Sequence, residues 1–430
     1  WLWSLMVLFC SGLYLYAETS GRLDPVSAKN ISVLAGITEY NAFLNEQVRY
    51  NDLSKNSYQF SNVNGSPNEV HVVVIGESTS RHHMSLYGYG RETNPRLTEL
   101  NNLISFSNVA TPNAHTIPAL TKAFTRQDKE GNGPGLEGGS LIELANQAGY
   151  DTYWISNQAV AGTFETPITV LAGQADQKIF TNASSGSGNY DDAVLIPLES
   201  TLMKEGKKVI FVHLMGTHMS YADRYPKEKA QFTDIPKGVS EKRMRVFNHY
   251  DNAVLYNDFV ISSMINLLQE SEVPTTLTYF SDHGEEVYEE RDFCGHSDVN
   301  LSKYMTDIPL LIWYNDRYKS THPNTLPSLI ENKNKWMSLA DYFYLGAEVM
   351  GIQSEESESS ELFFEPPPTH KYDFQTSNDL PFTRKTLCHR VNGIERLKEV
   401  KDLFDGFEID VVYDSKNDLF DVNHPPAKSI

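Results

Sequence analysis

The sequence predicts an α/β fold, a mostly parallel central sheet flanked by helices, and three observations carry that expectation. Short apolar runs of the buried-strand kind alternate with helical patterns from about residue 70 to about residue 315. One such run ends at Gly76-Glu77-Ser78, and a second, far downstream, ends at Ser281-Asp282-His283-Gly284-Glu285-Glu286. In an open α/β sheet, binding groups collect beyond the C-terminal ends of parallel strands, so these two ends can converge on one site.

Taken in order, the elements begin with an apolar stretch at residues 1–16, WLWSLMVLFCSGLYLY. It falls short of the roughly 20 residues that span a bilayer and lacks the basic start and small-residue cleavage site of a signal peptide. With no methionine at position 1, it reads as the outgoing end of a truncated transmembrane helix, its aromatic residues suited to the interface. Residues 17–69 are polar, with a weak helical pattern over 33–48, and read as a linker or bridging helix. Residues 70–430 then read as one large α/β domain, the expected seat of any chemistry. Its predicted strands cover 71–75, 152–156, 208–214, 275–280 and 308–313, and its predicted helices 117–124, 138–148 and 250–268. The Glu/Ser run and three prolines within 354–368 read as a loop, and the tail from 369 onward as additional edge strands. No internal repeat is present.

Net charge is -20 with no basic run, which excludes nucleic acid as a partner. A phosphate-bearing substrate stays open, because a bound divalent cation reverses the local field. Cys10, Cys294 and Cys388 make neither a disulfide framework nor a cysteine-rich zinc site. A Cys294–Cys388 bridge stays open.

Glu77, Asp282 and His283 form a mixed oxygen and nitrogen ligand set suited to zinc. For Glu77 alone a helix-capping turn is the alternative, since Ser78, Thr79 and Ser80 are all good N-caps. Thr116 lies where a turn gives way to the helical pattern of 117–124. Unpaired N–H groups and the helix dipole favour an alkoxide there, yet a hydroxyl needs a metal or base before it attacks. A plain N-cap threonine is the alternative reading. His218, after a buried strand, and His296, after Cys294-Gly295, are candidates for general acid/base or second-metal roles. His213 reads as a hydrogen-bonded core residue, and His82-His83 as surface or supporting groups.

Together, VVVIGESTSRHHMSLYGYGRETNP (72–95), His115-Thr116-Ile117, VHLMGTH (212–218), YDNAVLYNDFV (250–260) and YFSDHGEEVYEERDF (279–293) resemble the phosphoethanolamine transferases of Gram-negative bacteria. These belong to the alkaline phosphatase/sulfatase superfamily, and the likeness is in particular to those that decorate the lipopolysaccharide core. The resemblance implies a sulfatase-like sheet and at least one Zn2+ held by Glu77, Thr116, Asp282 and His283. In such enzymes the nucleophilic threonine lies about forty residues after the first glutamate; here the offset to Thr116 is 39. His218 and His296 would contact the phosphoryl group or a second zinc, and Asn157 would help bind substrate. The resemblance also implies a phosphatidylethanolamine donor, a lipopolysaccharide acceptor, and an inner-membrane protein with its catalytic domain in the periplasm. Two departures matter. The cysteines that flank the threonine in lipid A-type enzymes are replaced here by Pro112 and Ala119-Leu120. Thr116-Ile117-Pro118-Ala119-Leu120 also lacks the convertible residue and arginine of the sulfatase motif, which disfavours sulfate-ester hydrolysis. Transfer of another head group such as glycerol phosphate, a water-using phosphodiesterase, and a non-catalytic envelope protein are the alternatives.

Overall fold

Among the described residues, seven strands form the central sheet: β1 (Val70–Gly76), β2 (Leu103–Ser105), β3 (Asp151–Ser156), β4 (Gln177–Phe180), β5 (Lys208–His213), β6 (Thr275–Ser281) and β7 (Leu310–Tyr314). Their spatial order is β2-β7-β6-β1-β5-β3-β4. The five strands from β6 to β4 are parallel, and β7 runs antiparallel to both β6 and β2. The computed structural model describes residues 58–354 except 59, 64–65, 128–132, 134, 159–165, 183–187 and 237–239, together with 410–414 and 419–423.

The continuous apolar runs arise because the inner strands are covered on both faces. Val73, Ile75, Trp154, Phe211 and Phe280 point into one core, while Val72, Val74, Ile155, Ile210, Val212 and Leu277 point into the other. The first core is closed by α1 (Thr116–Phe124), α2 (Leu141–Gln147), α3 (Thr166–Ala172) and, later in the chain, Tyr342–Val349. A capping box, Ser140 with Glu143, starts α2. The second core is closed by α4 (Leu195–Leu202) and α5 (Glu241–Gln269).

At 29 residues α5 is much longer than the predicted 250–268. Its extra N-terminal turns are mostly polar and supply only Val246 and Phe247 to a small satellite cluster, so the apolar period fades there. One stretch of α5 holds three other segments. Tyr250 Oη donates to the Ser78 carbonyl at 2.7 Å, Asn257 Nδ2 donates to Tyr279 Oη at 2.7 Å, and the Asp258 carboxylate accepts Leu97 N–H at 2.9 Å and Arg96 N–H at 3.1 Å.

Strand register aligns the functional ends. Gly76 stands opposite Ser281, Ile75 opposite His213, and His213 opposite Ser156. The residues that follow each strand therefore leave the sheet at one level.

Two expectations are corrected, and the edges of the sheet were missed. The folded region starts before residue 70: Tyr58 is buried, with Oη bonded to the Ser140 carbonyl at 3.2 Å, and Phe60–Val63 pairs with Ile352–Ser354. The tail strands Asp410–Asp414 and Leu419–Asn423 pair with each other, and among the described residues they add nothing to the central sheet. The edge strands β2 and β4 went unpredicted because they are only three and four residues long and neither is fully buried. No helix among the described residues is long and apolar enough to cross a membrane. The expected end of a membrane helix at 1–16, the weak helical pattern at 33–48, most of the loop at 354–368, and Cys388 lie outside the described residues.

Phe124, at the end of α1, meets Trp154, Phe211, Phe280 and Tyr342 at ring distances of 5.7 to 6.5 Å. Phe124→Ala is expected to destabilise the domain by about 3–5 kcal/mol, read from its denaturant midpoint. A loss within about 0.5 kcal/mol would show that this ring is not central to packing.

Candidate active site

Glu77 leaves the end of β1 into a tightly held turn. Ser78 is buried with φ 61°, a left-handed conformation that costs a non-glycine residue about 1–3 kcal/mol and persists only when its surroundings enforce it. The enforcement is visible: Ser78 N–H donates to Asp282 Oδ1 at 3.1 Å and Thr79 N–H to Ser281 Oγ at 2.8 Å. Tyr250 Oη accepts from Ser80 N–H at 2.9 Å as well as donating to Ser78. The Glu77 carbonyl accepts from both the N–H and the hydroxyl of Thr217, at 2.9 and 3.1 Å. Gly216 has φ 50°, and a Cβ there would lie 2.6 Å from the Glu77 carbonyl oxygen, so only glycine lets this loop approach. The helix-capping alternative fails, because the short turn Arg81–His83 that follows has no side-chain cap bond.

Beyond β6, Asp282 and His283 are fully buried. His283 Nδ1 lies 3.0 Å from the Gly284 carbonyl, which can only accept, so the neutral ring carries its lone pair on Nε2. That nitrogen faces Glu77 Oε1 at 3.3 Å and Asp282 Oδ2 at 3.4 Å. Asp282 Oδ2 and His283 Nε2 are buried without a hydrogen-bond partner. One donor atom from each of Glu77, Asp282 and His283 falls within 4.8 Å of the others. Orphaned donors on a common centre, from two carboxylates and an imidazole, fit a divalent cation of the zinc type. Electrostatics agree. Burial pushes the Asp282 pKa up, the Glu77 charge adds to it, and the carboxyl reaches about 7. Burial works against the His283 cation, yet Asp282 and Glu77 outweigh it and raise its pKa to about 10. Burial also disfavours the Glu77 anion, but His283 and, at longer range, His218 hold it well below the usual carboxylate range.

Thr116 is the first residue of α1, and His115 takes the N-cap position with extended dihedrals. The hydroxyl is thus not spent on capping. It donates to Glu77 Oε2 at 3.0 Å, which joins the threonine to the acid–imidazole cluster across 39 residues of sequence.

His296 follows a two-residue strand, Cys294–Gly295, paired with Glu286–Val287. Its ring packs on His283 at 4.2 Å between centroids and meets His115 edge-on at 5.0 Å. Its Nδ1 lies 2.9 Å from Oε1 of the fully buried Glu285, which also accepts from Tyr221 Oη. This carboxylate fixes the orientation of the imidazole. His218 is half-buried in the turn after β5, near enough for its charge to act on Glu77.

Asn157 is at the expected strand end but faces another way. Its amide donates to Asp191 Oδ1 at 2.8 Å and accepts from Thr181 and Asn182, so a substrate contact would have to displace one of these bonds. Asp191 in turn accepts the N–H groups of Met215 and Gly216, at 2.8 Å each, and so braces the loop that carries His218. The neighbour Gln158 is the residue that reaches inward, 3.4 Å from Glu77 Oε2. His213 is in the core as expected, but packs edge-on to Trp154 with Nε2 lacking a hydrogen bond, and burial lowers its pKa to about 4. His82 contacts Asp307 at 3.0 Å. His83 is buried, not on the surface.

Over residues 70–352 the sequence matches the sulfatase family. The chain belongs to that family. Among its relatives are the phosphoethanolamine transferase EptC of Escherichia coli K12, 35% identical over 351 residues, and the phosphoethanolamine transferase CptA of Salmonella typhimurium LT2, 35% identical over 350. These alignments cover 77% and 76% of this chain, and the chain spans about 60% of the length of each relative. The C-terminal periplasmic domain of Escherichia coli EptC, solved in complex with Zn, superposes with a TM-score of 0.65 at 35% identity, covering 70% of this chain and 87% of that one. This member of the sulfatase family thus shares its fold with a zinc-binding domain.

Beside the centre, His83 is clamped by Asp251 at 2.7 Å and Glu289 at 2.5 Å, with Arg91 and Tyr89 on the other Asp251 oxygen. Burial lowers the His83 pKa, but the two carboxylates more than reverse this, to about 8. The folded chain therefore holds this proton more tightly than the unfolded one, whose histidines titrate near 6.5. The stabilisation is complete below about pH 6.5 and is lost as pH rises through about 8, roughly 2 kcal/mol in all. Denaturation curves from about pH 6 to 9 are expected to show this fall, and His83→Gln to flatten it; equal slopes in both proteins would refute the clamp.

Proposed function

We propose that this chain is a zinc-dependent transferase that moves phosphoethanolamine from phosphatidylethanolamine to lipopolysaccharide through a covalent intermediate on Thr116. The carrying observation is the Thr116 hydroxyl at a helix N-terminus, 3.0 Å from Glu77 and beside the buried Glu77–Asp282–His283 cluster. Glu77, Asp282, His283 and the Thr116 oxygen are the residues that would hold zinc, which supplies a lowered hydroxyl pKa and a positive charge for the phosphoryl oxygens.

The remaining chemistry falls to the chain itself. The Thr116 oxygen attacks phosphorus in line, the bond to the diacylglycerol oxygen breaks, and that oxygen needs a proton. His296 is suited to give it, because the buried Glu285 supports the imidazolium and keeps Nδ1 occupied. His218, on the loop after β5, is the second group available for this proton or for holding phosphoryl oxygens. A lipopolysaccharide hydroxyl or phosphate then attacks the threonine ester, and the histidine takes the proton back. Two half-reactions on one nucleophile give ping-pong kinetics.

The periplasmic placement of the EptC domain supports a catalytic region that begins by residue 58 and faces the periplasm, with 1–16 as the end of an inner-membrane helix and the residues between as its connection.

After incubation with phosphatidylethanolamine, the peptide containing Thr116 is expected to gain the mass of phosphoethanolamine. Thr116→Ala is expected to lose that adduct and about 1,000-fold or more of turnover. Glycerol phosphate on the peptide would replace this reading with the other head group. Asp282→Ala is expected to purify without the zinc of the parent protein; equal zinc in both would remove Asp282 from the ligand set.

A further inference from the structure

We propose that the Asp298 carboxylate receives the ammonium of the donor headgroup and thereby selects ethanolamine over headgroups without a positive charge. This deepens the transferase reading above and rests on it.

The position is fixed by a hydrogen bond. Asp298 Oδ1 accepts the Ala114 N–H at 2.6 Å, two residues before Thr116. Two residues of extended chain span about 7 Å at most, so this carboxylate borders the nucleophile. Asp298 is half-buried, open enough for a headgroup to reach its free oxygen.

Its charge is not consumed by an ion pair. Among the described residues Asp298 forms no ion pair: the arginines near the site, Arg81, Arg91 and Arg291, are paired with Asp307, Asp251 and Glu286. Its field reaches His115 and Lys122, but neither forms an ion pair with it. Glu77, Asp282 and Glu285 already crowd this end of the sheet. One more carboxylate without an ion-pair partner beside a phosphoryl site disfavours a substrate that is only anionic. It favours a zwitterion, whose phosphate lies at the cluster while the two-carbon arm carries its ammonium outward toward Asp298. A mere brace for Ala114 N–H needs an acceptor oxygen there, not a charge.

That difference gives the test. Asp298→Asn keeps an oxygen for Ala114 and removes only the charge. The two donors are phosphatidylethanolamine and phosphatidylpropanol, in which a methyl stands where the ammonium was. Wild-type protein is expected to prefer the ethanolamine donor. In Asp298→Asn, kcat/KM for that donor is expected to fall about 10-fold or more, the scale of a charge-assisted hydrogen bond, with phosphatidylpropanol unchanged or improved. Asp298→Glu, which retains the charge, is expected to keep the preference. Equal losses on both donors, or an unchanged preference in Asp298→Asn, would overturn the assignment. A wild-type chain that transfers nothing from phosphatidylethanolamine overturns the transferase reading first, and is recognised by the missing mass on the Thr116 peptide.

Discussion

Two parallel strands lying side by side set everything else in this molecule. Because β1 and β6 pair directly, with Gly76 opposite Ser281, the next residues of each emerge together, and Glu77 meets Asp282 and His283 from a distant part of the chain. Burying two carboxylates and an imidazole with donor atoms left unpaired is unfavourable unless something of opposite charge completes the set. The fold supplies the burial, and the chemistry of the donors states what is missing.

Around that pairing the structure commits much of its polar bonding to keeping the turn after β1 rigid. Tyr250 from the long helix holds two of its backbone groups, and Thr217 from the loop after β5 and Ser281 from β6 hold one each. Asn157 and Asp191 then hold the loop that holds Glu77. The left-handed Ser78 is the local strain that this bonding sustains, as expected of a site whose acid must be aimed before substrate arrives.

How much of this was legible varies with how local the signal is. β1 and β6 were readable because strands covered on both faces give unbroken apolar runs, and their carboxylate ends because glycine and acid follow at once. Thr116 was readable by resemblance and by its place at the start of an apolar helix. Glu285 and Tyr221 behind His296 were not, since a supporting carboxylate is recognisable only when its partner's position in space is known. Asn157 lies at the strand end where it was expected, yet its amide is turned away from the cluster. Strand-end logic locates a residue, but which of two neighbours turns inward depends on Asp191, 34 residues later, leaving Gln158 to face Glu77. For His83 the sequence left a surface and a supporting place both open, because the acids that enclose it come from α5 and from the loop after β6.

The contacts made by α5 have a consequence for how this sequence can vary. Tyr250, Asn257 and Asp258 span just over two turns and address the turn after β1, the strand β6 and the short helix Pro95–Thr98 respectively. Deleting or inserting one residue between Tyr250 and Asn257 rotates one end against the other by about 100°. All three attachments cannot then be kept at once. The stretch acts as a gauge of fixed length, buried along its whole run and intolerant of any change in residue count.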